Sequence, residues 1–173
     1  MNKRLVRLLG FLYGDGWAYY NRSGNYYDVG FQQSIKNSSI YKYYRNLILR
    51  LANNKYIREK LRKNKLEVLI YDKNLYTLLL NIKNDPEKFF TNLTHEEKIE
   101  FTAGITDADG YVSKDEIAIY DNNKALLEEV CRFLHNMNIN CRVTRNRSIW
   151  RLRLRSKDSI TLFLKLILSL KRF

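Results

Sequence analysis

Asp15 and Asp109 are the residues in this chain whose type and setting most clearly suggest chemistry. Each is followed by glycine, and each closes an apolar run with small residues four positions apart: Gly10 and Gly14 before Asp15, Gly104 and Ala108 before Asp109. Two carboxylates held close together raise one another's pKa unless a cation lies between them. With oxygen donors only, that cation would be a hard divalent ion, magnesium being the natural choice and manganese its substitute. The bland alternative is that each Asp-Gly pair is simply a turn.

The flanking sequence argues for more than a turn. Leu5 to Gly14 and the stretch from Thr94 to Ala108 read as helices, and aromatic, strand-like sequence follows each Asp-Gly pair. Glycine is expected at these helix ends because it takes a positive φ without a Cβ clash. An acid is disfavoured there, since the helix dipole is negative at its C-terminus. Finding the same unfavourable choice twice, a little over half a chain length apart, marks an internal repeat. Small residues at i and i+4 make a flat stripe along a helix. Packing one stripe on the other would bring Asp15 and Asp109 out side by side.

Thr102-Ala-Gly-Ile-Thr-Asp-Ala-Asp-Gly110 is similar to the LAGLIDADG motif of homing endonucleases, and Leu8-Leu-Gly-Phe-Leu-Tyr-Gly-Asp-Gly16 resembles a looser copy. The first copy has Tyr13 where the second has the acid Asp107; the second departs by Thr102 and Thr106. Two copies in one chain resemble the single-chain, pseudo-dimeric members of that family. The resemblance implies an α+β fold of two αββαββα repeats, residues 1–88 and 89–173, related by pseudo-twofold symmetry. Their antiparallel, saddle-shaped sheets would carry helices on the opposite face. It further implies a monomeric endonuclease that recognises a long asymmetric double-stranded DNA target and hydrolyses both strands with a divalent metal. Asp15 and Asp109 would hold Mg²⁺ or Mn²⁺ with the backbone carbonyls of Gly16 and Gly110. Gln33 and Asp121, at the ends of the strands that follow the motifs, are the residues the family pattern assigns to the catalytic water network, with Gln32 a close alternative to Gln33. The family's basic residue at the scissile phosphate has no clean match, and Lys36, Lys114 and Arg155 are the candidates. An intron-encoded or free-standing protein is expected. Alternatives on the same scaffold are an intron RNA splicing cofactor and a nuclease-dead DNA-binding protein.

Composition agrees with a polyanionic partner. Lysine and arginine number 31 against 18 acids, a formal charge of +13, which draws nucleic acid to a surface. Thirteen tyrosines and a single proline point to an ordered globular chain rather than a basic tail. The apolar run from Ile160 to Leu170 is broken by Lys165 and is too short to span a bilayer. The expectation is a soluble, non-secreted protein of the cytoplasm or an organelle, with no membrane partner. Cys131 and Cys141, without a secretory context or metal-type spacing, are expected to be buried free thiols. His95 and His135 are expected at the surface.

Strand parity picks out the DNA-facing candidates. Trp150, Leu152 and Leu154 share one face of a strand, which leaves Arg151, Arg153 and Arg155 about 7 Å apart on the other. Such a row suits a polyanion, although alternating arginine also protects a sheet edge. Arg58, Lys60, Arg62 and Lys65 form a second basic cluster whose alternation is blurred by Glu59 and Glu67. A two-stranded ribbon fits the DNA major groove. The candidates on the outward faces are Tyr19, Arg22, Asp28, Gln32, Lys36, Lys114, Glu116, Arg142, Arg151, Arg153 and Arg155. Among the caps, Asp72, the Thr94-to-Glu97 box, Ser38 or Ser39, Asn122 or Asn123, and Asp158 are expected to start helices.

Overall fold

Helix α1 (Lys3–Asp15) starts where the Asn2 side chain accepts the Arg4 N–H. Its counterpart α5 (His95–Asp109) starts at the expected capping box, in which Thr94 and Glu97 satisfy each other's backbone N–H groups. These two starts fix the registers of the two motif helices in the computed structural model, which describes residues 1–52 and 56–167. Residues 168–170 of the terminal apolar run lie outside the described residues.

Each motif helix runs straight into an edge strand. From α1 the chain enters β1 (Gly16–Asn21), β2 (Tyr26–Ser34), α2 (Ser38–Ala52), β3 (Ile57–Arg62), β4 (Lys65–Tyr71) and α3 (Lys73–Asn84). After a short α4 (Pro86–Thr91), α5 leads into β5 (Gly110–Val112), β6 (Ile117–Asp121), α6 (Lys124–His135), β7 (Arg142–Asn146), β8 (Ile149–Leu154) and α7 (Lys157–Leu166). The antiparallel sheets have the same order twice, β1-β2-β4-β3 and β5-β6-β8-β7. The α+β class and the repeated order are therefore as expected.

One face of each sheet is apolar because inward side chains alternate along the strands. Val29 and Phe31 of β2 and Val68 and Ile70 of β4 are fully buried, as are Ile117, Leu152 and Leu154 in the other sheet. Phe11 of α1 stacks on Tyr44 of α2 with ring centroids 3.7 Å apart and meets Phe31 edge-on. The helices thus cover one side of each sheet and leave the other side outward.

Several local expectations are corrected. Gly16 and Gly110 have φ of −94° and −87°, so neither uses the left-handed region. Glycine is required there for space instead: a Cβ at Gly16 would come within 2.7 Å of the Leu12 Cα, and one at Gly110 within 2.9 Å of the Thr106 Cα. Neither Ser38 nor Ser39 caps α2, because a 3-10 turn (Ile35–Asn37), capped by Ser34, feeds directly into it. Ser156 rather than Asp158 caps α7. Asn123 caps α6 and Asp72 caps α3, as anticipated.

The cysteines are not free thiols. Cys131 in α6 and Cys141, just before β7, form a disulfide with Cα atoms 5.8 Å apart. The connection from α6 to β7 is short and doubles back on the last turns of the helix, which brings together two residues that local pattern assigns to separate elements. His135, exposed as expected, sits in the same place: the Cys141 N–H donates to its Nε2 at 3.2 Å.

Candidate active site between the motif helices

α1 and α5 cross at backbone contact because glycine faces glycine. A Cβ on Gly104 would lie 2.7 Å from the Phe11 nitrogen, and one on Gly10 would lie 3.2 Å from the Phe101 Cα and closer still to the Phe101 carbonyl. At the C-terminal end of the crossing the Asp109 carboxylate packs against Gly14, the residue before Asp15, and a Cβ on Gly14 would collide with it. The crossing thus sets the Asp109 carboxylate against the residue that precedes Asp15. Both helices also point their negative dipole ends at the same place.

The surroundings of the two acids differ. Beside Asp15, the side-chain amide of Gln33 donates to the Asp15 carboxylate. Gln33 is 8% exposed and is itself held by the Asn37 amide, which donates to its Oε1 at 3.2 Å. Gln33 shares the inward parity of Val29 and Phe31, so the end of β2 delivers it to Asp15.

Asp109 is exposed, and a cavity of about 390 Å³ beside it is lined by Tyr13, Gly14, Lys83, Tyr120 and Asp121. Asp121 accepts from the Tyr13 hydroxyl at 3.1 Å and from the Asn123 N–H at 2.6 Å. Burial nevertheless raises its pKa above the ordinary aspartate value, against those hydrogen bonds and the Lys83 charge. Burial, with the Asp121 carboxylate next in weight, also raises the Tyr13 phenol, so Tyr13 stays a donor. The Lys83 ammonium donates to the Gly16 carbonyl at 2.9 Å. Desolvation lowers its pKa, while Asp109 and Asp121 pull the other way.

Lys83 is a residue of this place that the sequence did not single out. Lys36 and Lys114 are exposed, and Arg155 is engaged by Glu116 at 3.2 Å, while Lys83, from the last turn of α3, lies close enough to Asp109 and Asp121 to feel their charges. Nothing local in the sequence marks it. Tyr13 could have been found, because it fills the motif position at which the other copy carries Asp107.

Asp107 takes no part in the exposed site. It is fully buried and accepts from Tyr44 Oη at 2.6 Å and Arg7 Nη2 at 3.0 Å. Burial would lower the pKa of Arg7, but Tyr44 and Asp107 outweigh it, and the guanidinium stays charged. This pair ties α5 to α1 and α2.

A divalent cation fits the donor set on chemical grounds. Two carboxylates and the Gly16 and Gly110 carbonyls are hard oxygen ligands at converging helix C-termini. The chain's own lysine is already drawn to this spot, as expected where negative potential is concentrated.

The outward sheet faces carry the remaining candidates. Arg151, Arg153 and Arg155 surround Glu116 at 3.7, 3.3 and 3.2 Å, so the row is partly compensated from within. Arg142 pairs across from Arg153 and extends that face to β7. In the first half, Glu59 is not on the basic face. It pairs across from Val68 on the helix side and accepts from Arg45 at 2.7 Å. Glu67, by contrast, lies on the outward face across from Lys60 and 3.6 Å from Arg62, so it does interrupt the basic cluster. Tyr19 is 59% exposed and pairs across from Asp28, while Arg22 and Gln32 are exposed. Asp28 Oδ1, Thr144 Oγ1 and Arg151 Nε are buried without a hydrogen-bond partner among the described residues. These three lie on the outward sheet faces, and Thr102 Oγ1, within α5, is in the same condition.

Known proteins share this arrangement. Residues 96–168 match the family model described as a LAGLIDADG-like domain. The chain is 29% identical over 128 residues to MJ0398, an uncharacterised protein of Methanocaldococcus jannaschii. That alignment covers 72% of this chain and 45% of the relative, so the chain spans somewhat under half the length of that curated protein. It is similar to a mesophilic variant of the homing endonuclease I-DmoI, with a TM-score of 0.77 and 25% identity over 98% of this chain and 91% of the other. A second I-DmoI variant, in complex with its target DNA in the presence of Mg, gives a TM-score of 0.77 and 26% identity over 96% of each chain. The N-terminal LAGLIDADG domain of DUF199/WhiA shares the fold alone, with a TM-score of 0.67 at 17% identity over 95% of this chain and 82% of that one. No helix among the described residues is long and apolar enough to cross a membrane.

Proposed function

We propose that the chain is a LAGLIDADG protein of the two-repeat type and a monomeric homing endonuclease that cuts both strands of a long, asymmetric DNA target. The observation that carries the reading is the crossing of α1 and α5, which sets Asp109 against the backbone beside Asp15 at the edges of two cationic sheets. We place the division between repeats at residues 88 and 89, so that each half contributes one sheet and one motif acid.

In this reading Asp15 and Asp109 hold Mg²⁺, with the Gly16 and Gly110 carbonyls as further oxygen ligands. When bound, the cation neutralises the scissile phosphate, makes water more acidic and stabilises the leaving alkoxide. The chain's own groups do the positioning. Gln33 orients the Asp15 carboxylate and hydrogen-bonds water at the first centre. Asp121, oriented by Tyr13, accepts from water at the second. Lys83 moves its ammonium from the Gly16 carbonyl to a phosphate oxygen. Arg142, Arg151, Arg153 and the basic face of β3 hold the backbone, and a minority of outward side chains, Gln32 and Tyr19 among them, read base edges. A DNA target places the work in the cytoplasm or in an organelle, and the gene within an intron or free-standing.

The test is selection of cleaved molecules from a double-stranded library, with Mg²⁺ or Mn²⁺, followed by cleavage of the recovered site by variants. Wild type is expected to cut both strands at one long sequence, and Asp15→Asn and Asp109→Asn each to slow double-strand cleavage by more than about a hundredfold, beyond the loss usual for an outer-shell partner. Either variant cutting as fast as wild type overturns the assignment. A wild-type protein that binds the library but never cleaves it makes the chain a DNA-binding protein, and preference for intron RNA makes it a splicing cofactor.

A further inference from the structure

Away from the motif helices, one edge of the second sheet holds a cluster with metal-ligand chemistry. Cys131 and His135 stand one turn apart on α6, and Cys141 comes back against them immediately before β7. Their ligand atoms all lie within 4.8 Å of one another. We propose that, with the disulfide reduced, Cys131, His135 and Cys141 form a binding site for a thiophilic divalent cation, zinc above all, and that the disulfide is the closed, metal-free form of the same site.

The geometry fits such an ion. Bond lengths of about 2.3 Å to sulfur and 2.0–2.1 Å to nitrogen in a tetrahedron put ligand atoms about 3.6–3.8 Å apart. His135 Nε2 is 3.7 Å from Cys131 Sγ. A disulfide needs no imidazole, yet this one has an imidazole nitrogen whose lone pair faces the Cys141 N–H at 3.2 Å. The same Nε2 lies 3.0 Å from the Cys141 carbonyl oxygen, and binding a cation takes the neutral tautomer with the lone pair on Nε2 in exchange for these contacts. Cys131 is 6% exposed, whereas Cys141 is half-buried, so the cation would enter from the Cys141 side. Arg132 and Arg142 line the adjoining cavity of about 330 Å³, and guanidinium groups favour thiolates, the ligating form. Glu128, one turn before Cys131 on the same helix, lines the same cavity but is paired with Lys124 at 2.7 Å, which leaves the fourth position to water.

Opening the site is a balanced exchange. A water-soluble phosphine gives two electrons to the disulfide and becomes its oxide with the oxygen of water, whose two protons go to the sulfurs. Each thiol then releases its proton as it binds the cation. Because Cys141 adjoins Arg142, either form fastens the edge strand of the basic sheet to α6. The metal form does so without a covalent bond between the cysteines.

The experiment uses the full chain, reduced with the phosphine, freed of metal by a chelator and desalted, then titrated with Co²⁺. One equivalent is expected to produce a thiolate-to-cobalt charge-transfer band, which Zn²⁺ then abolishes. The oxidised chain and Cys141→Ser are expected to show no such two-thiolate spectrum. His135→Ala, with unchanged far-ultraviolet circular dichroism, is expected to bind Co²⁺ about tenfold more weakly or worse. Cation held by carboxylates alone gives no charge-transfer band, so the motif acids do not confuse the result. A reduced wild-type chain without the band at one equivalent, or a His135→Ala chain titrating like wild type, overturns the proposal.

Discussion

Tyr13 and Asp107 occupy the same position in the two motif copies, and the contrast between them separates two ways of joining the halves. Tyr13 crosses from the first half to hydrogen-bond Asp121 at the rim of the candidate active site. Asp107 crosses from the second half into the core, where Arg7 and Tyr44 hold it. One contact can tune chemistry, and the other holds the helix pair together. The asymmetry extends to the acids, since Asp15 is paired with an amide and Asp109 is flanked by a carboxylate, a phenol and a lysine. Two halves with the same strand order thus give their motif acids unlike surroundings.

The sharpest way to break that comparison is Arg7→Met, which leaves the Asp107 carboxylate buried without its cation. It is expected to cost about 3–5 kcal/mol of unfolding free energy, whereas Tyr13→Phe removes one hydrogen bond and costs about 1 kcal/mol. Denaturant unfolding of the two variants measures the difference. Adding Asp107→Leu to Arg7→Met should recover much of the loss, because an apolar pair of similar volume is often as stable as a buried ion pair. Equal effects of Arg7→Met and Tyr13→Phe would mean that the two positions do the same job.

At the centres themselves, Gln33→Ala is expected to slow nicking of one strand by about 10- to 100-fold, and Asp121→Asn to slow nicking of the other to a similar degree. Strand-specific labels on the selected target resolve the two. Asp121 also predicts a pH effect on stability. Its folded pKa is raised by burial, so the stabilisation linked to its proton is complete below the ordinary aspartate value and is lost as pH rises through the raised value. Relative to wild type, Asp121→Asn should therefore be more favourable near pH 7 than near pH 3, as thermal unfolding at the two pH values would reveal.

The smallest effect concerns the second sheet alone. Glu116→Gln removes the carboxylate that Arg151, Arg153 and Arg155 share and is expected to tighten DNA binding severalfold. The slope of log affinity against log salt should steepen by up to about one unit as freed arginines reach phosphates. An unchanged slope would show that these side chains do not touch the backbone.

Much of this arrangement was legible from the sequence, and the reason differs from residue to residue. The capping box at Thr94, the caps at Asp72 and Asn123, and the two Asp-Gly helix ends act over a few residues, so they can be read in place. The parity of Trp150, Leu152 and Leu154 is likewise a local periodicity, and it places Arg151 and Arg153 outward without knowledge of neighbours. Matching Phe31 to Ile119 across the repeats, together with the family pattern, singles out Gln33, which hydrogen-bonds Asp15. Glu59 is likewise placed by parity, opposite Arg58 and Lys60 on the side of Val68, where Tyr41 and Arg45 meet it.

What the sequence alone determined is the repeat, its elements and the two acids that end the motif helices, since helix ends, strand faces and glycine stripes follow from short-range sterics and hydrophobic alternation. Only the tertiary structure decided that Lys83 lies near Asp109 and Asp121, that Tyr13 holds Asp121 while Arg7 holds Asp107, and that Cys131, His135 and Cys141 meet. Those contacts depend on how helices cross and where a connection doubles back, and neither leaves a local pattern in the chain.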